Sequence, residues 1–214
     1  MKAPAAPPEP PPLVFVIDDD ESVREAVSDL LRSVGLDAEA YGSAEEFLRG
    51  ARTDRPACIV LDVRLPGPSG LEFQRMLAGS ERQLPIIFIS GHGDIPMSVR
   101  AIKSGAIEFL TKPLHEQALL DAVQAGIERD RARRRASGHD AELRDRLAAL
   151  TPREREILAL VITGKPNKQI AALAQVSEMT VKVHRGQVMR KMRARSLVEL
   201  VRMADALGIA PAKP

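Results

Sequence analysis

From Val14 to about Ile127, short apolar runs alternate with amphipathic stretches, and no other feature limits the possible folds so strongly. The runs are Val14–Ile17, a weaker one at Ala38–Tyr41, Cys58–Leu61, Pro85–Ile89 and the short Glu108–Leu110. Helical patterns separate them near Ser22–Ser33, Ala44–Arg49, Gly70–Ala78 and Pro96–Ser104, with a last one starting near His115. Strand and helix in regular succession are the mark of βα units around a parallel sheet. Five strands in this order predict a flavodoxin-like, doubly wound domain over residues 13–127.

The remaining chain is of another kind. At 214 residues the sequence has room for two cores, and its net charge of +2 conceals a division. Residues 1–127 carry 12 Lys and Arg against 19 Asp and Glu, a balance of −7, whereas residues 151–214 carry 12 against 5, a balance of +7. A basic second domain suits nucleic acid, although a basic surface also serves acidic proteins or lipid. Between them, residues 128–149 are rich in charge, including Arg129, Arg131, Arg133, Arg134 and Arg135, and read as a solvated helical linker interrupted or bent near Ser137-Gly138. Residues 1–12 hold six prolines and are expected to be a disordered lead-in. Cys58 is the only cysteine and sits in an apolar run, so it reads as core, and a reducing cytoplasm is the expected setting. No stretch approaches the roughly 18 apolar residues of a membrane span, and no membrane association is expected.

In a doubly wound sheet the ligand crevice lies beyond the carboxyl ends of the strands. Asp18, Asp19 and Asp20 follow the first run, Asp62 ends the third, Ser90 follows the fourth, and Lys112 lies just past the fifth. Clustered carboxylates ordinarily need a cation, and hard oxygen ligands suit Mg²⁺. A carboxylate nucleophile at Asp62 can form an acyl phosphate, with a Lys112 ammonium and a Ser90 hydroxyl contacting the phosphorylated product. Each residue also has a plain structural reading: the aspartates as helix caps or turn residues, Ser90 as loop punctuation, Lys112 as an exposed lysine. His92 and His115 lack partners at metal-ligand spacing and are assigned no chemistry.

Taken together, Asp18-Asp19-Asp20-Glu21, Asp62-Val63-Arg64-Leu65-Pro66-Gly67 and Ser90 to Pro113, SGHGDIPMSVRAIKSGAIEFLTKP, resemble a response-regulator receiver of the NarL/FixJ class, FixJ-like members above all. The resemblance implies that Asp62 takes a phosphoryl group from a sensor histidine kinase. It also implies that Asp18, Asp19, Asp62 and the Arg64 backbone carbonyl hold Mg²⁺, with Asp20 an extra acid. Ser90 and Phe109 would be the switch residues, Phe109 standing where many receivers have a tyrosine. Phosphorylation would alter the helix-4 and strand-5 face that relatives use for receiver dimers.

Thr151-Pro152-Arg153-Glu154 combines an N-cap, a first-turn proline and a capping-box glutamate, so a new helix begins there. Helical patterns follow at Lys168–Ala174, Glu178–Met192 and Leu197–Leu207, giving a four-helix domain over residues 150–214. On the third helix Val181, Val188 and Met192 fall on one face and should meet the core. Lys182, Gly186, Met189 and Arg193 fall on another, flanked by Val183, Arg185 and Arg190, a mixture that suits the major groove. The run LTPREREILALVITGKPNKQIAALAQVSEMTVKVHRGQVMRKM, Leu150 to Met192, is similar to the LuxR-type helix-turn-helix output domain of the same class. That likeness puts Thr180, Lys182 and Val183 on the recognition helix with Lys182 and Val183 facing bases, and Lys168, Arg185 and Arg190 on phosphates. Gly186 stands where some relatives carry a lysine. The last helix is similar to the one through which such domains pair.

The reading that unites these features is a phosphorylation-controlled transcription regulator of the cytoplasm. It would dimerise on phosphorylation and bind double-stranded DNA, with RNA polymerase a further partner to consider. The enzyme alternative, a phosphohydrolase with an aspartyl nucleophile, usually needs an acid two residues after the nucleophile, where this chain has Arg64.

Overall fold

The computed structural model describes residues 11–79, 83–91 and 95–212. The chain divides into two units, Met1–Arg134 and Arg135–Pro214. In the first, β1 (Leu13–Ile17), β2 (Asp37–Tyr41), β3 (Ala57–Asp62), β4 (Ile86–Ser90) and β5 (Glu108–Thr111) form one parallel sheet in the order β2-β1-β3-β4-β5. They alternate with α1 (Glu21–Ser33), α2 (Ala44–Gly50), α3 (Gly70–Ala78), α4 (Ile95–Lys103) and the start of α5 (Glu116–Ala148). The doubly wound order expected from the sequence is therefore present.

Every residue of β1, β3 and β4 is buried, whereas β2 and β5 at the sheet edges are partly exposed. Covering both faces with helices explains why the central strands are continuous apolar runs and the edge strands are weaker ones. Side chains alternate between the faces. Phe15, Ile59, Leu61 and Phe88 pack on one side with Phe47 of α2 and Phe73 of α3. Val14, Val16, Val60 and Ile87 pack on the other with Val27 and Leu31 of α1 and Leu119, Val123 and Ile127 of α5. Phe47 is met edge-on by Phe15, Tyr41 and Phe73 at centroid separations of 5.1, 5.6 and 5.7 Å, a favourable aromatic geometry. Cys58 is buried in the second layer, as its apolar surroundings in sequence implied.

Within the charged stretch after Ile127 the structure departs from a wholly solvated face. Asp130 is fully buried. Its carboxylate accepts the Ala57 backbone N–H at 3.0 Å, Arg133 Nε at 2.9 Å and Arg134 Nε at 2.7 Å. Arg134 and Arg133 lie one helical turn away, and a buried carboxylate with two guanidinium partners is tolerable where a lone one is not. The density of charge in the sequence hid this anchor. Helix α5 also runs unbroken through Ser137-Gly138, where an interruption was expected. A mid-helix glycine costs only about 1 kcal/mol, and Ala136, Ala141, Glu142 and Leu143 around it favour helix.

The second unit packs α6 (Pro152–Val161), α7 (Asn167–Ala174), α8 (Glu178–Met192) and α9 (Leu197–Ala206) around Ile157, Val161, Ile170, Val181, Val188, Met192 and Leu200. The expected capping box is formed: Thr151 N donates to Glu154 Oε2 at 2.8 Å, and Glu154 N donates to Thr151 Oγ1 at 3.3 Å. Lys191 Nζ lies 2.6 Å from the same glutamate oxygen and ties α8 to the start of α6. Met189 corrects an expectation, because it packs partly buried against this core and does not lie on an open face. Among the described residues, no helix is long and apolar enough to cross a membrane. The lead-in over residues 1–10, together with His92, lies outside the described residues.

Asp130→Ala leaves the Ala57 N–H unsatisfied while both arginines can turn to water. It should lower the stability of the first unit by about 1–3 kcal/mol in denaturant unfolding. The Lys191 hydrogen bond, followed by the Thr151 backbone, holds the Glu154 carboxyl down at about 2, below its ordinary 4.5. Its contribution is complete above about pH 4.5 and is lost as the pH falls toward 2. Thermal unfolding of Glu154→Gln should lack that segment of the pH profile.

Candidate phosphoryl-acceptor site and nucleic-acid interface

The parallel sheet brings the carboxyl ends of β1, β3, β4 and β5 to one side of the domain, and the acidic loop after β1 is fixed by its own backbone. Asp20 is the N-cap of α1, its side chain accepting Ser22 N at 2.9 Å, and the Ser22 hydroxyl and backbone bonds hold its carboxyl below the usual range. The extra acid is thereby assigned to the helix terminus. Arg24 Nη1 reaches back to the carbonyl oxygens of Asp18 at 2.8 Å and Asp19 at 3.0 Å. Sequence reasoning missed Arg24, since an arginine in the first turn of a helix carries no signal of its own.

Asp18 is fully buried, Asp62 nearly so, and Asp19 is exposed, with carboxylate oxygens of all three within 4.8 Å of one another. Lys112 Nζ stands 2.6 Å from Asp18 Oδ2 and 2.6 Å from Asp62 Oδ2, bridging the strand ends. Burial, helped by the charge of Asp62, pushes the Asp18 carboxyl up, although the Lys112 hydrogen bond opposes it. Burial pulls the Lys112 ammonium down most strongly, but its bonds to Asp18 and Asp62 and their charges together raise it. The lysine therefore stays charged between the two acids.

Asp62 Oδ1 accepts the Arg64 backbone N–H at 2.8 Å, which folds the Arg64 backbone toward the carboxylate. Ser90 is buried at the end of β4, and its carbonyl accepts Lys112 N at 2.8 Å, so Ser90 and Lys112 are locked to the same side. The Phe109 ring, half-buried on β5, lies 6.2 Å from that of Phe88. Gly70 explains how α3 comes so close: a Cβ there would fall 2.6 Å from the Asp62 carbonyl oxygen, and only glycine fits. His115 lies just before α5, where its carbonyl accepts Leu119 N, away from any metal-type cluster among the described residues.

The donor set has the chemistry of a divalent-cation site. Carboxylate oxygens from Asp18, Asp19 and Asp62 converge within the span one hard ion bridges, and each is an oxygen ligand of the kind Mg²⁺ prefers.

In the second unit, α7 and α8 are joined by Gln175-Val176-Ser177. Gln175 takes the left-handed conformation at φ 53°, and Ser177 caps α8 by accepting Thr180 N at 3.1 Å. Val181, Val188 and Met192 face the core as expected. Lys168, Lys182, Val183 and Arg190 are exposed, and Thr180 is half-buried at the cap. Arg185 is half-buried and donates to Asn167 Oδ1 at 3.1 Å, which links α8 to the start of α7. A turn-linked helix pair with basic and apolar groups exposed on the second helix is the geometry of major-groove readers.

Comparison with known proteins agrees with both units. Residues 14–124 match the response regulator receiver domain family, and residues 148–204 match the bacterial regulatory proteins of the luxR family. The chain is 54% identical over 197 residues to nodulation protein W of Bradyrhizobium diazoefficiens, covering 92% of this chain and 87% of that protein. It is 45% identical over 200 residues to the transcriptional regulatory protein FixJ of Azorhizobium caulinodans, covering 93% and 94%. Among solved structures it is similar to response regulator StyR, with a TM-score of 0.83 at 48% identity over 92% of this chain and 99% of that one. With a receiver fold whose acids converge at the carboxyl ends of its strands, a helix-turn-helix unit, and these likenesses along nearly its whole length, the chain belongs to the two-component response regulators that couple a receiver to a LuxR-type DNA-binding domain.

Proposed function

We propose that Asp62 is the phosphoacceptor through which a sensor histidine kinase controls DNA binding by this regulator. The observation that carries the reading is Lys112 placed equally between Asp18 and Asp62, with Ser90 held beside it on β4. An Asp62 carboxylate oxygen attacks the phosphorus of a kinase phosphohistidine. The O–P bond forms as the P–N bond breaks, and the histidine leaves as neutral imidazole, keeping the proton already carried on its other ring nitrogen. Asp18, Asp19, Asp62 and the Arg64 carbonyl would hold Mg²⁺, which when bound supplies positive charge against the phosphoryl oxygens. Lys112 exchanges its bond to Asp62 for one to a phosphoryl oxygen, and the Ser90 hydroxyl turns to another. No external substrate is turned over; the same groups set how long the acyl phosphate lasts before water removes it.

Movement of Ser90 reaches Phe109 on the adjoining strand. Without a hydroxyl, Phe109 responds by the position of its ring. Neighbouring α4 exposes Ile95, Val99 and Ile102, which recur at helical spacing and suit a receiver homodimer formed on phosphorylation. Residues 128–149 then act as the connection between receiver and output. On DNA, Lys182 and Val183 meet base edges, Thr180 positions the helix start, and Lys168, Arg185 and Arg190 meet phosphates. A paired regulator bound this way in the cytoplasm would be placed to contact RNA polymerase.

Incubation with a small acyl-phosphate donor and Mg²⁺ should give one acyl phosphate on the parent chain, a shift toward dimer and tighter operator binding. Asp62→Asn should give none of the three. Phosphate uptake by that variant defeats the assignment. At the output end, Lys182→Ala should weaken specific binding by about 1–3 kcal/mol in a titration against operator duplex. An equal loss on random-sequence DNA would make the lysine a phosphate contact instead.

A further inference from the structure

Gly186 lies in the middle of α8, where glycine is the least favourable residue after proline. Nothing in the fold requires it there. Its backbone is ordinary helix, and an added Cβ would meet nothing within 4 Å. A glycine that serves neither packing nor a special backbone conformation leaves room for something outside the domain.

The room has a definite lining. Met179, Lys182, Val183, Gly186, Gln187 and Arg190 form one helical stripe around a shallow concavity of about 340 Å³. Met179 and Val183 are 67% and 54% exposed and stand side by side along this stripe. Lys182 and Arg190 flank the notch, while the Gln187 amide oxygen accepts a bond from Arg190 Nη2. The flanking cations match a polyanion. The floor between them, made by Met179, Val183 and the bare Gly186 backbone, offers no side-chain donor or acceptor to a base edge.

We propose that this notch seats the C5-methyl group of a thymine in the major groove, so that one A·T pair of the operator is selected by apolar contact. The inference rests on reading α8 as the DNA-facing helix and names what that helix selects. The thymine methyl is the apolar group that a base pair presents in the major groove. Gly186 brings the helix backbone close enough for Met179 and Val183 to enclose that methyl, and any side chain at 186 would occupy the same space.

The test uses the full chain with acyl-phosphate donor and Mg²⁺, and selects bound duplexes from a randomised library. Each thymine of the selected site is then replaced by uracil, which removes only the methyl. One such replacement should weaken binding about fourfold, the worth of a single buried methyl group. Val183→Ala should bind the thymine and uracil duplexes alike. Gly186→Ala, which should fold with undiminished helical signal in circular dichroism, should lose the same discrimination. If a site is selected but uracil is silent at every position, the notch is not a methyl pocket, while the DNA-reading role of α8 stands. If no sequence is enriched at all, the assignment of α8 falls and the notch with it.

Discussion

The Lys112 ammonium, shared between Asp18 and Asp62, is the interaction on which the receiver's working edge depends. Two carboxylates that end adjacent strands repel each other, and burial raises the cost of holding both ionised. A single cation 2.6 Å from each makes the arrangement stable. It also makes it responsive, because any group that takes Lys112 away from Asp62 must supply equivalent negative charge. A phosphoryl group does so. The strands deliver these residues with little freedom: β1 and β3 are hydrogen-bonded neighbours, and Lys112 follows β5, whose carbonyl-side partner is Ser90 on β4.

The output unit solves a different problem. It must present a mixture of basic and apolar groups to solvent while keeping their helix fixed. Caps at Thr151, Ser177 and Ser196 start three of its four helices, and the Glu154–Lys191 pair ties the far end of α8 to the start of α6. The Arg185–Asn167 bond ties the middle of α8 to the start of α7. Rigidity behind the exposed face of α8 fixes where its side chains stand.

Much of this was legible in the sequence. The βα alternation gave the sheet and its order, because central strands covered on both faces must be apolar throughout. Asp18, Asp62, Ser90 and Lys112 were legible as a group because strand ends in such a sheet converge. Thr151 and Glu154 announced their capping box through spacing alone. What escaped depended on contacts between residues remote in sequence or on a single backbone clearance. Asp130 looked like one charge among many, yet it reaches Ala57. Gly70 gave no hint that it faces the Asp62 carbonyl. Met189 shares the helical spacing of exposed neighbours, and only packing turned it inward.

Arg24 has a consequence of its own. It grips the loop after β1 through the carbonyl oxygens of Asp18 and Asp19, leaving their carboxylates uncommitted to it. With Asp18 Oδ1 also accepting the Asp20 N–H at 2.9 Å, the loop is braced from within, and Asp18 Oδ2 and the Asp19 carboxylate are left out of that bracing. A ligand arriving there meets donors already in position, so little ordering entropy opposes its binding and little is recovered when it leaves.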